Sequence, residues 1–142
     1  MADHDLDRFL AAQDGGTYDT ALREIRAGRK RTHWMWYVWP QIAGLGSSPM
    51  ALRYAIASQA EARAFATHPI LGPRLREISG AMLAHEGTRA ATILGEIDAM
   101  KLRSCATLFE QVAPDPLVFE QLLAAFHDGE RCERTLSFLR TG

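Results

Sequence analysis

The sequence predicts an all-α protein, a single helical domain over residues 1–142 built as an irregular orthogonal bundle of about eight short helices. Three observations lead to that class. Apolar residues recur at i, i+3 and i+4 in most segments, the period of an amphipathic helix. Cap residues, prolines and glycines punctuate the chain at short intervals. No segment alternates apolar and polar residues between hairpin turns, so strands are not expected. Short connections between short helices favour crossed packing over a long four-helix bundle.

The elements follow in order. Leu6, Phe9, Leu10 and Gln13 share one face of a first helix that stops at Asp14-Gly15-Gly16. Thr17 is placed to cap a second, with Tyr18, Ala21, Leu22 and Ile25 on one face and Gly28 as its stop. Gly44-Leu45-Gly46-Ser47 is a loop, and Ser48-Pro49 supplies an N-cap and first helical position for Met50 to Ala57. Ser58-Gln59-Ala60-Glu61 is a capping box for a helix through about Thr67, which His68-Pro69 breaks. Pro73 opens a longer helix carrying Leu75, Ile78, Ala81, Met82 and His85, closed at Gly87. Thr88 starts a short helix to Leu94, closed by Gly95. Asp98 caps a helix whose Leu102, Cys105, Ala106, Phe109 and Val112 form one apolar stripe. Asp115-Pro116 repeats the cap-then-proline signature before Leu117, Phe119, Leu122, Leu123 and Phe126, and a last helix carries Leu136 and Leu139.

Composition narrows the function classes. Hydrophobic residues at 47% and charged residues at 23% are globular values that disfavour disorder. Sixteen basic against seventeen acidic side chains give a net charge of -1, which argues against a surface tuned as a whole to nucleic acid or anionic membrane. Cys105 and Cys132 lack C-x-x-C spacing and a histidine at ligand spacing, so they read as reduced thiols, and no metal or cofactor is expected. The acidic opening, with Asp3, His4, Asp5 and Asp7, is not a signal sequence. No apolar run approaches the roughly 20 residues of a membrane span. A cytoplasmic protein without a membrane partner is the expectation.

The densest feature is His33-Trp34-Met35-Trp36-Tyr37-Val38-Trp39-Pro40-Gln41, which holds every tryptophan of the chain. Pro40 ends any helix here near Val38. A short helix or turn would turn Trp34 towards Tyr37 and Val38, and Trp36 towards Trp39 and Pro40. Most of these rings are expected in the core, each burying about 150–250 Å². One or two are free to line a cleft with His33 and Gln41, where a planar ligand would stack. Arg26, Arg29, Lys30 and Arg31 precede the run. They suit either a solvated helix end, complementing its dipole, or an anion site beside aromatic rings.

Other candidates are weaker by themselves. The 44–48 loop leads into a helix N-terminus but lacks a strand before it and the third glycine of a dinucleotide fingerprint. Lys101 and Ser104 share an edge beside the apolar stripe. A lysine near a helix amino terminus opposes the dipole, and a phosphate or carboxylate partner would repair that mismatch. His68 and His85-Glu86 read as capping or surface groups.

Several blocks carry a family resemblance. F-x-x-A-Q at 9–13, G-R-K-R-T-H-W-M-W-Y-V-W-P-Q-I-x-G-L-G-S-S at 28–48, H-P-I-L-G-P-R-L at 68–75 and D-x-x-K-L-x-S-C-x-T-L-F at 98–109 resemble the bacterial and fungal family called domain of unknown function 1810. The resemblance implies a mainly helical fold and supplies no activity. Where this chain has Cys105 and Ala106, that family usually has a second serine and a methionine. Members are sometimes labelled calpastatin, but calpain-inhibitor regions are disordered and this chain is well capped. A fainter likeness is to the NADAR helical superfamily, linked to ADP-ribose and N-glycosidic chemistry. It shares an A-x-x-F helix like 61–67, an H-P-x-L segment and a later lysine-bearing helix, and implies no catalytic role for any one residue.

The expected function is therefore binding of a small anionic or nucleotide-like molecule in an aromatic and basic cleft, with enzymatic ADP-ribose or N-glycosidic chemistry as an extension. Its ligand-binding candidates are Arg29, Lys30, His33, Trp34, Trp36, Trp39, Gln41, Gly46, Ser47, Lys101 and Ser104. Its acid, base or anion-holding candidates are His33, Asp98 and Lys101. The alternative is a non-catalytic module that docks a protein partner through an exposed aromatic patch. Nucleic acid ranks last on charge.

Overall fold

A computed structural model describes residues 4–141; residues 1–3, Asp3 among them, and residue 142 lie outside the described part. Ten helices are present there: α1 (Asp7–Gln13), α2 (Thr17–Arg26), α3 (Met35–Val38), α4 (Pro49–Arg53), α5 (Gln59–Thr67), α6 (Leu71–Leu83), α7 (Ala90–Leu94), α8 (Glu96–Val112), α9 (Leu117–Phe126) and α10 (Glu133–Thr141). The number exceeds the expected eight or so, and three of the ten, α3, α4 and α7, are pieces of four or five residues that position the chain between longer helices. No described helix is long and apolar enough to cross a membrane.

The capping chemistry explains most boundaries. Ser48 Oγ accepts from the Ala51 amide at 3.1 Å and starts α4. Ser58 Oγ accepts from Glu61 N at 3.1 Å, while the Glu61 carboxylate accepts from the Ala57 amide at 2.8 Å, one residue before the cap. His68 Nδ1 accepts from the Ile70 and Leu71 amides, so this histidine caps α6 and the helix begins before Pro73. Pro73 sits in the first turn, where its missing N–H costs nothing. Other expected boundaries move. Thr17 lies inside α2 behind a left-handed Gly16, Thr88 precedes an α7 that starts at Ala90, and Gly95, at φ +90°, is the N-cap of α8, which starts at Glu96, two residues before Asp98. Nor does Asp115 cap α9, whose preceding residue Pro116 receives no side-chain bond.

The expected helix from Met50 to Ala57 ends at Arg53. The reason is a long-range pairing: Ile56 N donates to Gln41 O at 3.0 Å and Ala43 N to Ile56 O at 2.8 Å. This isolated parallel bridge, Ile42 with Ile56, buries both isoleucines and clamps the base of the 44–48 loop.

The core gathers around α8, which packs on α5, α7, α9 and α10. Its predicted stripe is buried, and so are Ser104, Thr107 and Leu108 beyond it. A central helix is enclosed on more than one side, and its hydroxyls make that tolerable by bonding back along the helix, Thr107 to Arg103 O and Ser104 to Met100 O. Aromatic rings in successive contact run through this core from Tyr37 and Tyr54 to Phe9, Phe65, Phe109 and Phe119.

One carboxylate organises the entrance to the aromatic run. Glu24 on α2, 9% exposed, accepts from the Arg31 and Thr32 amides, the Thr32 hydroxyl and the Trp34 indole at 2.7–3.1 Å. Burial alone would push its acidity down. The bonds from Trp34, Arg31 and Thr32 outweigh burial and hold its pKa at about 2, below the ordinary 4.5. Because the folded value is the lower one, this contribution is complete above about pH 4.5 and drains away as the pH falls towards 2. Replacing Glu24 by Ala strands several buried donors and is expected to cost about 3 kcal/mol or more in chemical denaturation at pH 7. The gap between Glu24→Ala and the parent should narrow as denaturation is repeated down to pH 3.

Candidate functional site

The three elements that frame the principal groove come from distant parts of the sequence. The 41–48 loop forms one wall, the first half of α8 forms the floor, and residues 129–136, leading into α10, form the other wall. They enclose about 1010 Å³ open to solvent. The loop stays close to α4 because Gly46 has no side chain: a Cβ there would come 2.7 Å from the Ala51 Cβ. Across the groove, the Arg134 guanidinium donates to the Gly44 carbonyl at 2.8 Å and ties α10 to the loop.

Gln41, Gly46, Ser47, Lys101 and Ser104 all line this groove. Trp36 does not line it; half-buried, it shares a small separate hollow with Gln41, Ala51 and Lys101, whose Nζ is 5.4 Å from the ring centroid. The other aromatic candidates are elsewhere. Trp34 and Trp39 are each 1% exposed, and their indole N–H groups donate to Glu24 and to Ser79 Oγ. Both flank α3 instead of lying within it, so their rings turn into the core and leave Trp36 alone at the surface. His33 is exposed beside Thr17, Arg23 and Thr32 in a separate hollow, because the bonds to Glu24 turn residues 31–34 away from the groove. Arg29 is exposed and Lys30 is directed to α8; neither lines the groove.

Asp98 sits between two lysines. Lys30 Nζ is 3.0 Å from one carboxylate oxygen and Lys101 Nζ 3.6 Å from the other. The carboxylate that repairs the unfavourable position of Lys101 on its helix is therefore Asp98, in the same first turns, where the dipole favours an anion. The same Lys30 Nζ lies 5.1 Å from the centroid of the Trp34 ring. Asp98 thus links the basic segment before the aromatic run to the floor of the groove. It is not paired with His33.

Sequence reasoning missed the second wall. Arg103, Arg131, Cys132 and Arg134 line the groove with Glu130 and Glu133. Arg131 is held by a bidentate pair with Glu110, at 3.0 and 2.5 Å, and Arg103 lies 3.8 Å from Glu130. Arg134 meets no carboxylate among the described residues. The signal is the dense charge pattern E-R-C-E-R at 130–134, which runs into the first turn of α10. Cys132 is not inert packing. Burial would raise its pKa, but the Ser104 hydroxyl bonded to it, with the nearby Thr135 hydroxyl and the Thr135 and Arg134 amides, outweighs burial and lowers it below the ordinary thiol value. Cys105, wholly enclosed, is pushed well above that value by burial. Among the described residues no group of three His, Cys, Asp or Glu is arranged to hold a metal.

The profile of the family described as "Protein of unknown function (DUF1810)" matches residues 3–139. The chain belongs to the DUF1810 family. A solved structure with the same architecture is that of the conserved hypothetical protein Rv1873 from Mycobacterium tuberculosis. It is 44% identical, with a TM-score of 0.93, over 96% of this chain and 97% of that one. No curated protein matches this DUF1810 chain.

Closeness at Gly46 makes the groove wall testable. Gly46→Ala must displace either the loop or α4, and is expected to lower stability by about 1–3 kcal/mol in thermal denaturation.

Proposed function

We propose that the groove binds a small anionic molecule of nucleotide-like character. The observation that carries this reading is the concentration of charge: Lys101, Arg103, Arg131 and Arg134 converge on one concavity lined by only two carboxylates, in a chain whose net charge is -1. A concave site with low-dielectric walls focuses such charge onto a ligand. Arg134 keeps an uncompensated charge, and arginine and lysine donors not used in the existing pairs are free to hold phosphate or carboxylate oxygens. Gln41, Ser47 and Ser104 add polar groups that would orient the ligand, while Leu45, Ile97 and Met100 offer apolar contact for a planar part.

Support for binding is stronger than support for N-glycosidic catalysis. Acid–base work needs groups that reach one substrate. His33 faces a different hollow, and Asp98 is held between two lysines. The aromatic docking patch has little to stand on, since Trp34 and Trp39 are core rings.

Thermal denaturation in the presence of ADP-ribose, AMP, ADP and adenosine tests the proposal. The phosphorylated compounds are expected to raise the melting temperature, by the equivalent of about 2.7 kcal/mol at a hundredfold excess over Kd, and adenosine is not. The shift should weaken in high salt. Arg134→Ala should weaken binding about tenfold or more, as expected for loss of a charged hydrogen-bonding partner. Absence of a shift with every anion would overturn the reading.

A further inference from the structure

Cys132 occupies the N-cap of α10: its carbonyl accepts from the Leu136 amide at 3.1 Å, so its side chain sits where the helix offers unsatisfied N–H groups. Its own amide is anchored to Thr107 Oγ1 at 3.0 Å on α8. The Ser104 hydroxyl lies 3.4 Å from the sulfur and 3.2 Å from Met100 O, and a thiolate is the acceptor that draws its proton away from the carbonyl. Thr135 is wholly buried on the first turn of α10, beside the thiol, and its hydroxyl has no full hydrogen-bond partner. A buried donor without an acceptor costs stability, and a negative sulfur would supply that acceptor. Cys132 lines the groove between Arg131 and Arg134, and Lys101 and Arg103 line the same groove.

We propose that Cys132 is a covalent acceptor site in this groove, exchanging with small anionic disulfides to form a mixed disulfide. The thiolate sulfur attacks one sulfur of the disulfide, the old S–S bond breaks, and the released thiolate takes a proton from water. Cys132 is oxidised, the departing half is reduced, and no other reactant is needed. The choice of an anionic partner rests on the reading of the groove as an anion site. Cys132 is itself buried, at 7% exposure, but lines the groove, whereas Cys105, the other cysteine of the chain, is 1% exposed in the core and does not. The adduct therefore has no accessible second thiol in the groove to resolve it, and it persists until an external thiol removes it.

Intact-mass and peptide mass spectrometry of the native protein tests this with three probes: oxidised glutathione (anionic), 2-hydroxyethyl disulfide (neutral) and cystamine (cationic). The expected result is one adduct, on Cys132 and not Cys105. Oxidised glutathione should react about tenfold or more faster than cystamine at low ionic strength, a preference that shrinks in salt. The rate should reach half its maximum below the ordinary thiol pKa of about 8.5, and Ser104→Ala should move that midpoint upwards while circular dichroism reports an intact fold. No adduct on native protein that reacts once denatured overturns the proposal, as does cystamine reacting as fast as glutathione disulfide. Nucleotide-induced stabilisation of the unmodified protein without adduct formation sinks this proposal alone. An adduct with anion preference but no nucleotide shift upholds it and sinks nucleotide binding alone.

Discussion

A buried carboxylate with four donors around it sets the geometry on which the rest depends. Glu24 takes the chain as it leaves α2 and fixes residues 31–34 before any of the aromatic rings is placed. With Trp34 anchored there, Trp39 packs against it at 5.6 Å and reaches Ser79 on α6. Gln13 on α1 donates to Tyr37 O at 2.8 Å and closes the other side. A charged acceptor in a low-dielectric setting makes stronger bonds than it would in water, and it costs more when left unmatched. The short aromatic helix is thus held by partners from three other helices, since four residues cannot sustain a helix by their own hydrogen bonds.

That anchoring has a second effect. It directs Lys30 onto Asp98, so the segment before the aromatic run is stitched to the start of α8, while Pro40 and the Ile42–Ile56 bridge deliver Gln41 and the glycine loop to the opposite side. The groove is what remains between these constraints once α10 is docked. Its walls carry charged groups beside apolar ones because several of the elements that meet there do so near their ends, where helices leave backbone groups and charged side chains.

How much of this the sequence shows depends on the range of the interaction. Ser48 and Ser58 act on amides three residues away, so the starts of α4 and α5 can be read directly. The stripe of α8 repeats within one helix and is legible for the same reason. Trp34 and Trp39 were harder, because an indole N–H is buried only if a partner such as Glu24 or Ser79 waits for it, and those lie 10 and 40 residues off. The end of α4 escaped local reasoning because Ile56 gains more from pairing with residues 41–43 than from another helical turn. In the candidate site, Gln41 is legible as the polar end of the aromatic run, Gly46 and Ser47 from the loop, and Lys101 and Ser104 from the helix edge. Cys132 was not, since its acidity comes from Ser104, 28 residues earlier, and from the amides of a helix start.

The tie between Arg134 and the Gly44 carbonyl, which spans 90 residues of sequence, bears on when the groove exists at all. Its last wall is carried by the C-terminal helix, which packs chiefly on α8 and buries little beyond Thr135. An element with so few buried contacts opens at a free-energy cost well below that of unfolding the whole domain. Loss of α10 would remove one side of the groove while leaving the aromatic core assembled. The lifetime of the binding surface is then set by a local equilibrium in α10, which any molecule bridging the two walls would draw towards the closed form.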